Sequence, residues 1–181
     1  MTALPDPVFL DRDGVINRDK NYIHRVEDFE FIDGAVEALR QINALGRPIF
    51  VVTNQSGIGR GYYSEDDFRR VNAWMLQQLQ QHGVRIAGVY YCPHAPEADC
   101  ECRKPQPGMI LQARREHQLE LQDAWMAGDK TSDIEAARRA GVRQTVLVRS
   151  GKPIDPERAK PLYVCDSILD MIPLLRKGGE A

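Results

Sequence analysis

The sequence predicts an α/β protein, a Rossmann-like three-layer sandwich in which helices cover both faces of a central parallel sheet. Three observations carry this. Short, continuous apolar runs recur along the chain: Val8-Phe9-Leu10, Ile49-Phe50-Val51-Val52, Val89-Tyr90-Tyr91, Ala124-Trp125-Met126-Ala127 and Thr145-Val146-Leu147-Val148. Runs of this kind are typical of strands buried on both faces. Stretches with helical spacing separate them, and alternation of strand and helix implies parallel pairing with covered faces. Finally, three of the runs end in residues able to do chemistry. In open α/β sheets, ligands bind at the carboxyl ends of the strands.

The elements follow in order. Val8–Leu10 is the first strand. Asp33 is placed to cap a helix carrying Val36, Leu39, Ile42 and Leu45 on one side, with Gly46 as its stop. Ile49–Val52 is the second strand. Ser64 with Asp67 forms a capping-box signal, and behind it Phe68, Val71, Met75 and Leu79 recur at helical spacing as core residues. Val89–Tyr91 is the third strand and runs into a cysteine-containing loop. A helix after Pro107-Gly108 carries Met109, Ile110 and Ala113. Ala124–Ala127 is the fourth strand, Ser132 to Ala140 a helix ended by Gly141, Thr145–Val148 the fifth strand and Tyr163-Val164 a sixth. Pro153 to Pro161 reads as a polar loop. Pro173 allows a last helix only within its first turn.

The 181 residues suit one domain, taken as 1–181, and 43% hydrophobic with 28% charged residues is the composition of an ordinary globular protein. A formal net charge of −2 argues against a general nucleic-acid binder, where a basic balance is usual. No stretch approaches the roughly 20 apolar residues of a membrane span. The start, Met1-Thr2-Ala3-Leu4-Pro5-Asp6-Pro7, has no charged region followed by an apolar one, so no secretory signal is expected and the chain is read as cytoplasmic.

Asp11-Arg12-Asp13-Gly14 ends the first strand with two carboxylates one residue apart. Such a pair repels itself, and a divalent cation with hard oxygen ligands, Mg²⁺, resolves the conflict. Thr53-Asn54-Gln55 follows the second strand, Lys104-Pro105 follows the cysteines and Gly128-Asp129 follows the fourth strand. Together these compose a phosphoryl-transfer site. Asp11 is the covalent nucleophile. Asp13 protonates the leaving alkoxide and then takes a proton from the hydrolytic water. Thr53 offers a hydroxyl to a phosphate oxygen, and Lys104 supplies positive charge where the equatorial oxygens accumulate the opposite sign. The Mg²⁺ ligands are Asp11, Asp13 and Asp129, while Asp133, four residues on in the first turn of a helix, holds a metal-bound water or Lys104. Each motif alone has an ordinary reading as a loop, a turn or a helix cap; the four in this order do not.

Cys92-Pro93-His94 and Cys100-Glu101-Cys102 place four soft or borderline ligands in eleven residues. That set suits a tetrahedral, structural Zn²⁺. Cys165 stands alone as a core or strand-end thiol. Arg103 and Lys130 flank the catalytic positions in a chain of net negative charge, which suggests a second anionic group on the substrate.

Asp11-Arg12-Asp13-Gly14, Thr53, Lys104-Pro105 and Gly128-Asp129-x-x-x-Asp133 resemble the four motifs of haloacid-dehalogenase-like phosphatases. The resemblance implies a Rossmann-like core, Mg²⁺ dependence and an aspartyl-phosphate. The short intervals between motifs imply a capless member with an open site. Its zinc-looped branch handles heptose bisphosphates, in lipopolysaccharide-precursor synthesis, or histidinol phosphate. Thr53-Asn54-Gln55-Ser56-Gly57-Ile58-Gly59-Arg60-Gly61-Tyr62-Tyr63, Asp19-Lys20-Asn21-Tyr22 and Cys102-Arg103-Lys104-Pro105-Gln106-Pro107-Gly108 look like the former. The resemblance implies substrate contacts from Asp19, Lys20, Asn21, Tyr22, Asn54, Gln55, Ser56, Arg103 and Lys130, a phosphosugar substrate with no nucleic-acid or membrane partner, and a monomer. Gly59 stands where alanine is expected in many relatives, and the segment between His94 and Cys100 is short. The alternatives are an amino-alcohol phosphate, whose amine Glu97, Asp99 and Glu101 would read, a nucleic-acid terminal phosphate, and a non-catalytic zinc-stabilised module.

Overall fold

The computed structural model describes residues 5–178; the first four residues of the N-terminal segment and the outer limits of the 1–181 domain lie outside them. Six parallel strands form one sheet in the order β3-β2-β1-β4-β5-β6. They are β1 Val8–Leu10, β2 Ile49–Asn54, β3 Gly88–Cys92, β4 Trp125–Gly128, β5 Gln144–Val148 and β6 Tyr163–Cys165. The helices are α1 Ala35–Ala44, α2 Ser56–Gly59, α3 Glu65–Gln81, α4 Gly108–His117, α5 Thr131–Ala140, α6 Pro156–Ala159 and α7 Ile172–Lys177.

Alternation along each strand divides the core between the faces. Val8, Leu10, Ile49, Val51, Trp125 and Ala127 join buried residues of α1, α3 and α7. Phe9, Phe50, Val52 and Met126 point the other way, into the layer made by α4 and α5. Burial on both faces explains why the strands read as unbroken apolar runs. Phe68, Val71, Met75 and Leu79 are all buried on α3, each contributing about 1.5–3 kcal/mol. The capping box is complete: Ser64 Oγ accepts from Asp67 N–H at 3.1 Å and Asp67 Oδ2 accepts from Ser64 N–H at 2.9 Å. Cys165 is buried at the end of β6. No cap domain is present among the described residues.

Three sequence expectations are corrected. Helix α1 starts after Gly34, whose φ of 82° suits glycine, while the Asp33 side chain lies in solvent near Arg18. Its buried face is Ala35, Ala38, Leu39 and Ile42; Leu45 lies one residue past the helix end and is exposed. The Pro153–Pro161 segment contains α6, with Pro156 in its first turn and Asp155 Oδ1 capping Glu157 N–H at 3.0 Å. Pro173 does sit in the first turn of α7.

Candidate active site

Register brings the chemistry to one edge. Leu10 pairs with both Val51 and Ala127, so Asp11, Thr53 and Asp129, one or two residues beyond these partners, reach the same edge; Thr53 lies inside β2, which runs to Asn54, two residues longer than the sequence predicts. Asp11 Oδ1 accepts the Arg12 N–H at 2.8 Å and lies 3.0 Å from Lys104 Nζ. Lys104 is 4% exposed; its ammonium donates to Val52 O at 2.7 Å and sits 2.6 Å from Asp133 Oδ1. Burial would weaken its basicity, but Asp11 and Asp133 overcome that and raise its pKa. Asp133 therefore holds Lys104, and its Oδ2 also accepts the Lys130 N–H at the start of α5, 3.0 Å away. The Asn54 amide fixes the backbone of Lys104 from both sides, donating to its carbonyl at 3.1 Å and accepting from its N–H at 3.0 Å. Thr53 Oγ1 accepts from Gln55 Nε2 at 2.9 Å, leaving its own O–H to donate.

Asp129 is fully buried. Its Oδ2 accepts the Lys152 N–H at 3.3 Å, while Oδ1 has no hydrogen-bond partner and faces Lys130 Nζ at 3.6 Å. Gly14 and Gly151 enclose it so tightly that a Cβ on either would come within 2.4 and 2.0 Å of Oδ2. Burial and the charge of Asp11 push its pKa up to about 8. Carboxylate oxygens of Asp11, Asp129 and Asp133 lie within 4.8 Å of one another. Hard oxygens, an orphaned buried acceptor and mutual repulsion together fit a small divalent cation such as Mg²⁺.

The Asp13 carboxylate is not part of that cluster. Arg12 Nη2 holds its two oxygens at 3.0 and 3.2 Å, Asn17 Nδ2 donates to Oδ1 at 3.0 Å and Gln55 Nε2 to Oδ2 at 3.1 Å. Burial alone would raise its pKa, but Arg12 and these hydrogen bonds bring it below the usual carboxylate range. Sequence reasoning passed over Arg12. Its guanidinium is fully buried, 5.9 Å from the Phe29 ring and 5.5 Å from that of Phe68. Gln55 is held in turn by Tyr63, whose hydroxyl donates to Oε1 at 2.6 Å and whose pKa burial raises to about 12.

Above these groups opens a cavity of about 460 Å³ lined by Asp13, Asp19, Asn21, Tyr22, Ile23, Asn54, Gln55, Ser56, Tyr63, Arg103, Lys104, Pro105, Lys130, Ser132 and Lys152. Of the substrate residues expected from the sequence, only Lys20 is absent: its ammonium pairs with Glu30 at 3.0 Å. Arg103 Nη1 is buried with no partner. Glu97, Asp99 and Glu101 do not line the cavity, so the acidic residues expected to read an amine lie outside it. Ile23, Tyr63, Ser132 and Lys152 line it without having been assigned to the site from the sequence.

The cysteine loop closes on itself. His94 Nδ1 lies 3.4 Å from Cys92 Sγ and 3.3 Å from Cys102 Sγ, and Cys100 Sγ lies 3.8 Å from both other sulfurs. A tetrahedral zinc with ordinary bond lengths has S···S edges of about 3.8 Å and S···N edges of about 3.5 Å, so the four side chains fit that ion. Gln55 N–H donates to Cys92 O at 2.8 Å, tying the cluster to the cavity wall. The loop also lies on α2: a Cβ at Gly59 would come within 2.3 Å of Ala95 N.

A parallel sheet with an acid pair after β1, a buried lysine and an enclosed carboxylate after β4 defines the haloacid-dehalogenase-like hydrolases. A family profile described as HAD-hydrolase-like matches residues 101–171. The chain is 48% identical over 178 residues to D-glycero-beta-D-manno-heptose-1,7-bisphosphate 7-phosphatase of Pasteurella multocida, covering 94% of this chain and 96% of that one. It is 43% identical to the protein of the same name from Escherichia coli K12, with 94% and 93% covered. Among solved structures it resembles the D,D-heptose 1,7-bisphosphate phosphatase of B. bronchiseptica, complexed with magnesium and phosphate, with TM-score 0.86, 26% identity and 95% and 98% coverage. The chain belongs to the heptose-1,7-bisphosphate 7-phosphatase family of these hydrolases.

Proposed function

We propose that this chain removes the 7-phosphate of D-glycero-beta-D-manno-heptose 1,7-bisphosphate, in the synthesis of nucleotide-activated heptose for lipopolysaccharide or related glycans. The observation that carries the chemistry is the state of Asp11. Lys104 and the Arg12 N–H engage Oδ1, whereas Oδ2 accepts no hydrogen bond among the described residues and is ion-paired only at 4.0 Å, to Lys130 Nζ. Oδ2 attacks phosphorus, and the bond to the sugar oxygen breaks as Asp13 gives that oxygen a proton; Arg12 keeps Asp13 ionised in the free enzyme, and Asp13 takes that proton up as the anionic phosphate enters and offsets Arg12. Water then attacks the aspartyl-phosphate, Asp13 takes the proton back and Asp11 is regenerated. Lys104 and the Thr53 hydroxyl hold the equatorial oxygens, Asp133 and Asn54 hold Lys104, and Arg103 and Lys130 face the rest of the substrate. Asp11 and Asp129, with Asp133 behind them, would hold Mg²⁺, which when bound supplies charge stabilisation to the phosphoryl group. Cys92, His94, Cys100 and Cys102 would hold a structural Zn²⁺.

The names of the relatives support the substrate and its anomer. The reading is of a monomeric one-domain enzyme. A sugar bisphosphate is too highly charged to cross a bilayer unaided, which supports action in the cytoplasm. No helix among the described residues is long and apolar enough to cross a membrane.

The test is phosphate release with Mg²⁺ from both anomers of the bisphosphate and from histidinol phosphate, compared as kcat/KM. The β anomer is expected to lead by about a hundredfold, roughly 2.7 kcal/mol of transition-state binding. A preference for histidinol phosphate would overturn the substrate and leave the chemistry standing.

Zinc acts here through placement. Only Arg103 separates Cys102 from Lys104, so the cluster fixes the backbone that presents both cations. Cys102→Ser is expected to lower zinc content and to cut kcat by about a hundredfold, the scale of a misplacement near 1 Å. A zinc-free Cys102→Ser protein of full activity would refute the link.

A further inference from the structure

Three successive residues beyond β5, which no motif foretold, are built into the active-site edge. Ser150 Oγ donates to Gly14 O at 2.8 Å. Gly151 packs on Asp129 so closely that only glycine fits. Lys152 donates its N–H to Asp129 Oδ2 at 3.3 Å, and its ammonium reaches across the cavity to Asn21 Oδ1 at 2.7 Å and to within 3.6 Å of Asp19 Oδ2. The turn thus grips the metal-binding carboxylate with its backbone and the expected substrate loop with its side chain.

The charges around the cavity are unevenly committed. Arg103, with its buried Nη1 unpartnered, is already assigned to the substrate, and Lys104 is locked between Asp11 and Asp133. Lys130 lies among Asp11, Asp19 and Asp129 at 4.0, 3.9 and 3.6 Å. Lys152 has one carboxylate within reach, at 3.6 Å, its shortest contact is to a neutral amide, and its side chain is half exposed. An ammonium held by a neutral oxygen at the edge of a cavity gains by exchanging it for an anionic one. Resting on the bisphosphate reading above, we propose that Lys152 is a specificity-determining residue that binds the second phosphate, the one that is not cleaved, and leaves Asn21 to do so.

The experiment compares kcat/KM for heptose 1,7-bisphosphate and heptose 7-phosphate in wild type, Lys152→Met and Lys152→Arg. The ratio of the two values is the readout, because a lysine that merely anchors Asn21 would affect both substrates alike. Wild type is expected to favour the bisphosphate. Lys152→Met is expected to lower that ratio about tenfold or more, mainly through KM of the bisphosphate, and Lys152→Arg to recover most of it. A ratio unchanged in Lys152→Met overturns the proposal, whether both substrates slow together or neither does. A wild-type enzyme indifferent to heptose bisphosphates overturns the substrate reading itself, and this one with it.

Discussion

Asp11→Asn abolishes turnover, with an expected fall in kcat of at least about 10⁴-fold, the scale seen when a covalent nucleophile is removed. The amide can still accept the Arg12 N–H and the Lys104 ammonium that Oδ1 accepts now, so the fold has no reason to change. What disappears is the attacking oxygen. The same change removes one charge from a cluster whose carboxylate oxygens lie within 4.8 Å of one another, so the part of the upward pKa shift of Asp129 that Asp11 adds to burial falls with it. The metal-free variant is therefore expected to melt at or above the wild-type temperature. Two measurements check this, single-turnover phosphate release and thermal unfolding with chelator present. Residual activity within tenfold of wild type would remove Asp11 from the nucleophile's role.

Arg12→Met has the largest expected effect on stability. The guanidinium is fully buried between Phe29 and Phe68, with Nε and Nη1 unpartnered, an expensive way to fill space. Methionine would occupy much of the same volume but leave the Asp13 carboxylate without its counter-ion. Breaking a buried ion pair by removing one partner costs about 3–5 kcal/mol, and about 3 is expected here because the Asp13 side chain keeps 18% exposure and its bonds to Asn17 and Gln55. The kinetic loss should depend on the leaving group. Sugar phosphates need a proton on the departing oxygen and aryl phosphates scarcely do, so a misaligned Asp13 slows the former more. Urea unfolding and the ratio of rates on the two substrate types are the measurements. Unchanged stability with an unchanged ratio would show that Arg12 neither anchors nor aims Asp13.

Much of this was legible because the four central strands are largely buried on both faces and three of the catalytic groups sit at or just past a strand end. Apolar runs located the strands, and strand ends located Asp11, Thr53 and Asp129. The misreadings have local causes. Asp33 is a good capping residue placed one position before a left-handed glycine. The signals for α6, Asp155 and Pro156, were present but hidden in a polar stretch only four helical residues long. Arg12 and Lys152 escaped for a different reason. Their meaning lies in Phe29, Phe68, Asn21 and Asp129, and no spacing rule connects positions that distant along the chain.

Gly59 and the short segment between His94 and Cys100 are separate features of the sequence that meet in space. The missing methyl at 59 is the room into which the backbone of Pro93, His94 and Ala95 settles. Anyone building chimeras from this enzyme and a relative with a longer metal loop would have to exchange helix α2 and that loop together. Swapped singly, one combination collides and the other leaves a gap beneath the wall that carries Gln55 and Ser56.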